Sequence, residues 1–306
     1  MEIKNLVFFN HYKNGDVFIN RQYIKHIKSH FNVPTFYAHN NHESTTRDLM
    51  VRQISTESLP KEIGEFDVIR YDKDNKILFI NTWVGAWIGK YFNWGEHPNF
   101  VMLHKIWKEY FDYLKIEMSG NYYDYLPVIN LDYYPLKTAT NWLEENESLP
   151  FVVMCNGRQQ SEQSNMGNMR IIIDKISLRF PKVNFLVCDK LDLQRDNITY
   201  TDDLFGGPIG NLIDIAYMSG FAKLIVGKNS GPFSFAHTYQ NNSNINQTFL
   251  CFSKEMKHCL AGEGNYYATH LFSNTTDDEI AIEIISNQIQ MMNEPRISGM
   301  KSIRAV

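Results

Sequence analysis

Three loops in this sequence carry residues whose types and spacing suit chemistry. The first, Asn10-His11-Tyr12-Lys13-Asn14-Gly15-Asp16, follows an apolar run at 5–9. Gly15 allows a tight turn, and Asp16 falls at or near the start of a helix. Its carboxylate either caps that helix, worth about 1 kcal/mol, or faces a cleft as a general base. The second loop is Asn156-Gly157-Arg158-Gln159-Gln160, after an apolar run at 150–155. Glycine followed by arginine offers a backbone N–H and a guanidinium to phosphate oxygens, although a plain polar turn has the same composition. The third is Gly227-Lys228-Asn229-Ser230-Gly231-Pro232. Its small residues permit close backbone approach, and Pro232 suits a first helical turn, where its missing N–H costs nothing. The free N–H groups there would favour a phosphate, or the segment is an ordinary helix start.

Other constellations are weaker. His39, His42 and Glu43 share one polar loop and have metal-ligand side chains, but a solvated loop explains them as well. Trp83, Trp87 and Trp94, with Tyr91 and Phe92, form an aromatic stretch suited to stacking on sugar rings or to core packing. Gly206-Gly207-Pro208-Ile209-Gly210 is not a dinucleotide fingerprint, because it lacks the strand-to-helix spacing and Pro208 removes a donor. The four cysteines form no CxxC pair and sit mostly in apolar runs, as buried reduced thiols do.

Regular elements must position these loops. Apolar runs predict strands at 5–9, 34–38, 66–70, 77–84, 150–155, 183–188, 197–201, 223–227 and 247–252. Helical periodicity predicts helices over 16–30, 98–117, 166–179 and 209–219, one starting near Pro232, and one from the acidic cap at 276–279 to about 292. In the first helix, Val17, Ile24, Ile27 and Phe31 share a face, and Arg21, Lys25 and Lys28 are expected to point away. The segment 119–138, rich in Tyr, Asn and Pro, reads as an interdomain connection. Strands alternating with helices indicate parallel sheets with helices on both faces. The expectation is an α/β protein of two doubly wound, Rossmann-like domains facing across a cleft, residues 1–140 and 141–306. In such sheets ligands bind beyond the carboxyl ends of the strands.

Composition agrees. A chain of 306 residues is long enough for about two domains, each with its own core. With 43% hydrophobic and 21% charged residues it is neither disordered nor collagen-like. Thirty basic against thirty-four acidic residues give a net charge of -4, which does not point to nucleic acid. No run approaches the length of a membrane span, and the apolar run in MEIKNLVFF is too short for a signal peptide, so a cytoplasmic location is expected.

At these residues the chain resembles the GT-B glycosyltransferases, and among them the heptosyltransferase-like group, glycosyltransferase family 9. In that group a Gly-Asp pair after the first strand opens a helix that ends in a Lys-x-x-Phe-Pro-like stretch. Here Gly15-Asp16-Val17 runs on through Ile27-Lys28 to Phe31. The group also carries an Asp-Leu-x-Gly turn, a Leu-rich helix, an Ala-x-Leu-Val-Ile-Gly strand and Asp-Ser-Gly-Pro-x-His. This chain has Asp203-Leu204-Phe205-Gly206, Asn211-Leu212-Ile213-Asp214-Ile215-Ala216, Ala222-Lys223-Leu224-Ile225-Val226-Gly227 and Asn229-Ser230-Gly231-Pro232. The family aspartate before Ser-Gly is Asn229 here, the family histidine is Ser234, and a proline usual in the first helix is replaced near Arg21.

The resemblance implies transfer of a sugar from a nucleotide-diphosphate sugar to a hydroxyl of a carbohydrate or glycolipid acceptor, inverting and metal-independent. It implies a donor site in the second domain at Asn156, Gly157, Arg158, Gly206, Lys228, Asn229, Ser230, Gly231 and Pro232. Asn14, Gly15 and Trp83 would meet the acceptor, and Asp16 would deprotonate it. No metal or other cofactor and no nucleic-acid partner is implied, while contact with a membrane surface stays open. In such folds the last helix often crosses back to the first domain, which makes 278–306 the candidate segment. Two alternatives stand beside this reading: a pyruvyltransferase-like or epimerase-like enzyme of similar architecture, and a non-catalytic binding protein that keeps the fold.

Overall fold

Strand β1 (Asn5–Phe9) is buried from Leu6 to Phe9 and lies parallel between β2 (Thr35–Ala38) and β5 (Ile77–Asn81). An unbroken apolar run is what a central parallel strand requires, since both its faces are covered. The structure is a computed structural model that describes residues 2–12, 14–40, 45–83, 99–157, 167–206, 212–228, 230–295 and 298–306. The chain divides into two units, Met1–Tyr133 and Tyr134–Val306. The first sheet has the order β3-β2-β1-β5-β4, with β3 at Arg52–Ile54 and β4 at Ile69–Asp72. Its four inner and left-hand strands are parallel, whereas β4 pairs antiparallel with β5 through the tight turn Asp72–Lys76. Here the structure departs from an all-parallel expectation. β3, a three-residue strand with no fully buried position, carries too little periodicity to be read from sequence.

The first helical stretch is two helices, α1 (Asn14–Ile19) and α2 (Arg21–Phe31), rather than one. The break is at Asn20, whose buried Nδ2 donates to Asp16 O at 2.6 Å and to Thr82 O at 2.8 Å. Val17, Ile24 and Ile27 are buried as expected, but Arg21 does not point away. It is fully buried, ion-paired with Asp48, and donates to Thr45 O and Val128 O. Lys25 Nζ and Asn130 N also bond Asp48. Charge inside a core is tolerable only when paired in this way. The network ties 119–133, read from sequence as a linker, into the first unit. Helix α3 (Phe100–Leu114) starts at Asn99, whose side chain accepts from Met102 N, and buries Leu103, Ile106, Trp107, Tyr110 and Leu114. Tyr23 of α2 is sandwiched between Trp107 and Tyr125, at centroid distances of 5.1 and 4.6 Å.

The second unit opens with α4 (Lys137–Glu145), so the division falls a few residues before the 140/141 line drawn from sequence. Its sheet has seven parallel strands in the order β14-β12-β10-β9-β6-β7-β8. β6 (Phe151–Cys155), β7 (Asn184–Val187), β8 (Ile198–Tyr200), β9 (Leu224–Lys228) and β10 (Thr248–Phe252) match the predicted runs. β12 (Thr269–Ser273) and β14 (Arg304–Ala305) are additional, and β11 (Asn265–Tyr266) pairs with β13 (Lys301–Ser302) apart from the main sheet. Helices α5 (Met169–Arg179), α6 (Thr201–Phe205), α7 (Leu212–Ser219), α8 (Gly231–Ala236), α9 (Tyr239–Ser243) and α10 (Asp278–Gln290) complete it. Ala281, Ile282, Ile285 and Ile289 of α10 enter this unit's core, and Arg179–Glu283 at 2.7 Å links α5 to α10. The chain end then adds β14 to the same sheet. Helix α10 and strand β14 are thus built into the second unit by apolar burial and strand pairing. The α/β class and the pair of doubly wound, Rossmann-like units are as the sequence indicated.

Candidate functional sites

Both sheets reverse strand order at their first strand, and the crevice at such a reversal is where open α/β sheets take ligands. In the first unit the reversal is at β1, with β2 and β3 on one side and β5 on the other. The chain leaves β1 as Asn10 and leaves β5 as Thr82-Trp83. Asn10 is fully buried; its backbone N–H donates to Ala38 O, and its Oδ1 accepts from Tyr12 N at 2.7 Å. His39 is also buried, not solvated, with Nε2 3.1 Å from Tyr12 O. His42 and Glu43 lie outside the described residues. Among the described residues no cluster of three or more His, Cys, Asp or Glu is placed to hold a metal.

Asp16 is the third residue of α1, not its cap, and its carboxyl has no hydrogen-bond partner among the described residues. Burial without a compensating charge pushes its pKa up to about 7. Beside it Tyr37, fully buried, hydrogen-bonds Thr82 Oγ1; burial and, more weakly, the Asp16 charge drive its phenol up. Asn20 Oδ1 accepts from Trp107 Nε1, so one side chain holds Asp16, the end of β5 and α3 together. Trp83 is half-buried, with its ring stacked on Tyr12 at 3.9 Å and Phe66 tilted against it at 5.5 Å. Trp87, Tyr91, Phe92 and Trp94, like Lys13, lie outside the described residues. A carboxyl that is desolvated, unpaired and half ionised near neutrality can accept a proton from a hydroxyl.

In the second unit the reversal is at β6, flanked by β7 and β9. The three strand ends converge. A Cβ added to Gly157 would sit 3.4 Å from Pro232 Cγ and 3.5 Å from Asp189 Oδ1. Asn156 and Asp189 exchange two 2.8 Å bonds, Nδ2 to Asp189 O and Asp189 N to Oδ1, stitching the exits of β6 and β7. Gly227 faces Cys155 in register, and a Cβ there would lie 2.6 Å from Cys155 Cβ, so only glycine lets α8 pack this close. Ser230 is buried with its Oγ lacking a partner among the described residues, and Pro232 falls in the first turn of α8. Lys228 is half-buried; burial lowers its pKa, and the nearby Asp189 charge partly opposes this. Gly206 has φ +78 at the end of α6, a left-handed position that glycine fills without strain. Arg158 and Asn229 lie outside the described residues. The structure therefore brings Asn156, Gly157, Lys228, Ser230 and Pro232 together and adds Asp189, which no local motif marks. An apolar run ending in an acid one strand over from the first βα loop is the signal that points to it.

No family model and no curated protein matches the chain. Solved structures do. The glycosyl transferase family 9 protein from Veillonella parvula matches at TM-score 0.53 and 8% identity, over 97% of this chain and 94% of that one. S. aureus MnaA, solved with UDP, matches at TM-score 0.50 and 9% identity, over 94% and 88%. At these identities the likeness is one of fold, and it spans both units. The resemblance read from the Gly15-Asp16 and Ser230-Gly231-Pro232 segments thus has its counterpart in a shared fold. Among the described residues no helix is long and apolar enough to cross a membrane.

Proposed function

We propose that this protein is a glycosyltransferase that takes a sugar from a nucleotide-diphosphate sugar. The convergence of Gly157, Asp189, Lys228, Ser230 and Pro232 at the strand reversal of the second unit carries this reading. A diphosphate would meet the Lys228 ammonium, the Ser230 hydroxyl and the backbone at Gly157 and Gly231, with Asn229 and Arg158 adjoining in sequence. Gly206 borders the same site in the proposal. A carboxylate at the end of the strand beside β6 suits a ribose diol, which assigns that role to Asp189. The solved MnaA–UDP complex, alike in fold, is consistent with a nucleotide here.

Acceptor chemistry belongs to the first unit. Asp16 accepts the hydroxyl proton as the acceptor oxygen attacks the anomeric carbon, and the nucleoside diphosphate leaves with the bonding electrons, inverting the centre. Lys228 and the backbone donors stabilise the charge on the leaving diphosphate, a role that needs no metal. Asn14, Gly15 and Trp83 border the acceptor. The test is incubation with UDP-, GDP-, ADP- and dTDP-sugars while following nucleoside diphosphate release. Release with one of them, lost in Asp16→Asn, is expected. An isomerised sugar nucleotide in place of a transfer product would instead establish the epimerase-like alternative. No turnover with any donor would overturn the reading.

A further inference from the structure

We propose that Tyr37 and Thr82 are positioning residues for the base assigned above: the buried phenol gives its proton to Thr82 Oγ1 and so withholds it from the Asp16 carboxyl. The inference rests on the reading of Asp16 as proton acceptor, and it specifies what keeps that carboxyl free to accept. Two observations carry it. One is where each proton of the cluster can go, and the other is how the backbone holds the cluster together.

A hydroxyl carries a single proton, so the direction of each bond can be followed. Tyr37 is fully buried in β2, and its hydroxyl bonds Thr82 Oγ1, itself buried just after β5. Phe9 O can only accept, and Thr82 Oγ1 donates to it at 3.3 Å. The Thr82 proton is committed there, which leaves Oγ1 to accept from Tyr37. The Asn10 side chain meets the same phenol. Its Oδ1 already accepts from Tyr12 N at 2.7 Å, so the group it offers the phenol is the donor Nδ2. Among the described residues Thr82 Oγ1 is thus the acceptor for the phenol proton. The order runs from Asn10 to Tyr37 to Thr82 to Phe9 O.

Asp16 stands beside this chain without joining it. Asn20 Nδ2 donates to Asp16 O at 2.6 Å and to Thr82 O at 2.8 Å, so one amide fixes the backbone of the base next to that of the hydroxyl. The phenol feels the Asp16 charge, yet no hydrogen bond joins the two among the described residues. Other titratable groups at this corner are engaged: His39 Nε2 lies 3.1 Å from Tyr12 O, and the Tyr12 hydroxyl donates to Glu65. A phenol that donated to the carboxylate would stabilise its charged form and make it a weaker base. Thr82 diverts that proton. Thr82→Val removes the hydroxyl but keeps the carbonyl that Asn20 bonds. The phenol proton is then buried without an acceptor, an unfavourable state that turning toward the Asp16 carboxylate relieves.

The test follows the Asp16 carboxyl carbon by 13C NMR in the full chain through a pH titration, with its resonance assigned by absence from Asp16→Asn. The natural chain and Thr82→Ser, which keeps the acceptor, are expected to share a midpoint of about 7. Thr82→Val is expected to titrate about one pH unit lower, and the acid limb of kcat/KM moves down with it. In Tyr37→Phe, which has no phenol proton to redirect, adding Thr82→Val leaves the midpoint in place. Thr82→Ala removes the same hydroxyl and carries the same expectation if valine disturbs the fold. A midpoint that loss of the Thr82 hydroxyl leaves unchanged overturns the inference, and so does an equal fall in the Tyr37→Phe background. Because the midpoint needs no substrate, the two readings fail separately. The expected midpoints without transfer from any donor uphold the proton assignment while overturning transfer, and transfer with a midpoint indifferent to Thr82 overturns this inference alone.

Discussion

Asp16 combines a position at the strand reversal of the first unit with a pKa near 7, and the two make opposite demands on stability and activity. A carboxyl whose pKa is higher folded than unfolded binds more protons in the folded state between about pH 4 and 7. Its contribution to stability is therefore present at low pH and lost as pH rises through 7. Asp16→Asn should raise the melting temperature at pH 8, by the equivalent of about 1–3 kcal/mol, and leave it nearly unchanged at pH 4. Equal shifts at both pH values would show that the carboxyl is not strained by burial. Activity runs the other way. In the proposed role of base, Asp16 must be ionised, so kcat/KM should fall about tenfold per pH unit below about 7, and Asp16→Asn should lose two to four orders of magnitude. The types and spacing of Gly15-Asp16 made this residue legible in sequence. The Tyr37–Thr82 pair and the Asn20 clamp were not, because they join residues 45 and 62 positions apart.

At the scale of elements, a single glycine fixes the exit of β9, where the proposal puts the donor. Gly227→Ala would force a Cβ into Cys155 on the neighbouring strand and into the Phe233 ring. Overpacking of this kind costs about 1–3 kcal/mol and should also weaken nucleotide binding by moving α8; a urea titration and a nucleotide titration on the variant read the two effects. In the same unit, His270 of β12 stacks on Phe249 at 4.7 Å, with His237, which follows α8, at 4.3 Å from Phe249. Burial holds both imidazoles neutral, His237 down to about 3. Their folded pKa values lie below the unfolded value of about 6.5, so stability is present above that pH and is lost as pH falls from there. His270→Phe should flatten the fall in melting temperature between pH 6.5 and 4, and an unaltered slope would contradict the assignment. Central strands were legible because burial on both faces demands unbroken apolar runs, as in β1, β6 and β9. The short edge strands β3 and β14 were not, since two or three residues carry no period. Arg21 was misread as exposed because its partner Asp48 lies on an element that the periodicity does not relate to it.

Across the whole molecule, sequence order alone implied two doubly wound units, because alternation of strand and helix leaves few other topologies. What it could not fix was where the chain's end goes: the apolar stripe of α10 is equally compatible with either unit until its partners on α5 are placed. The buried charge network centred on Asp48 shows how the first unit keeps its last residues; Asp48→Ala should destabilise it by about 3–5 kcal/mol in urea, by leaving the Arg21 charge unpaired. The central claim, that the second unit holds a nucleotide diphosphate, is tested most directly by thermal unfolding with UDP, GDP, ADP, CMP and dTDP, each with and without EDTA, on the natural chain and on Lys228→Ala. A ligand at 100 times its dissociation constant adds about 2.7 kcal/mol, which is several degrees for a chain of this size. The account predicts a shift with one nucleotide, unchanged by EDTA and diminished in Lys228→Ala. No shift with any nucleotide, or a shift that Lys228→Ala leaves intact, would contradict it.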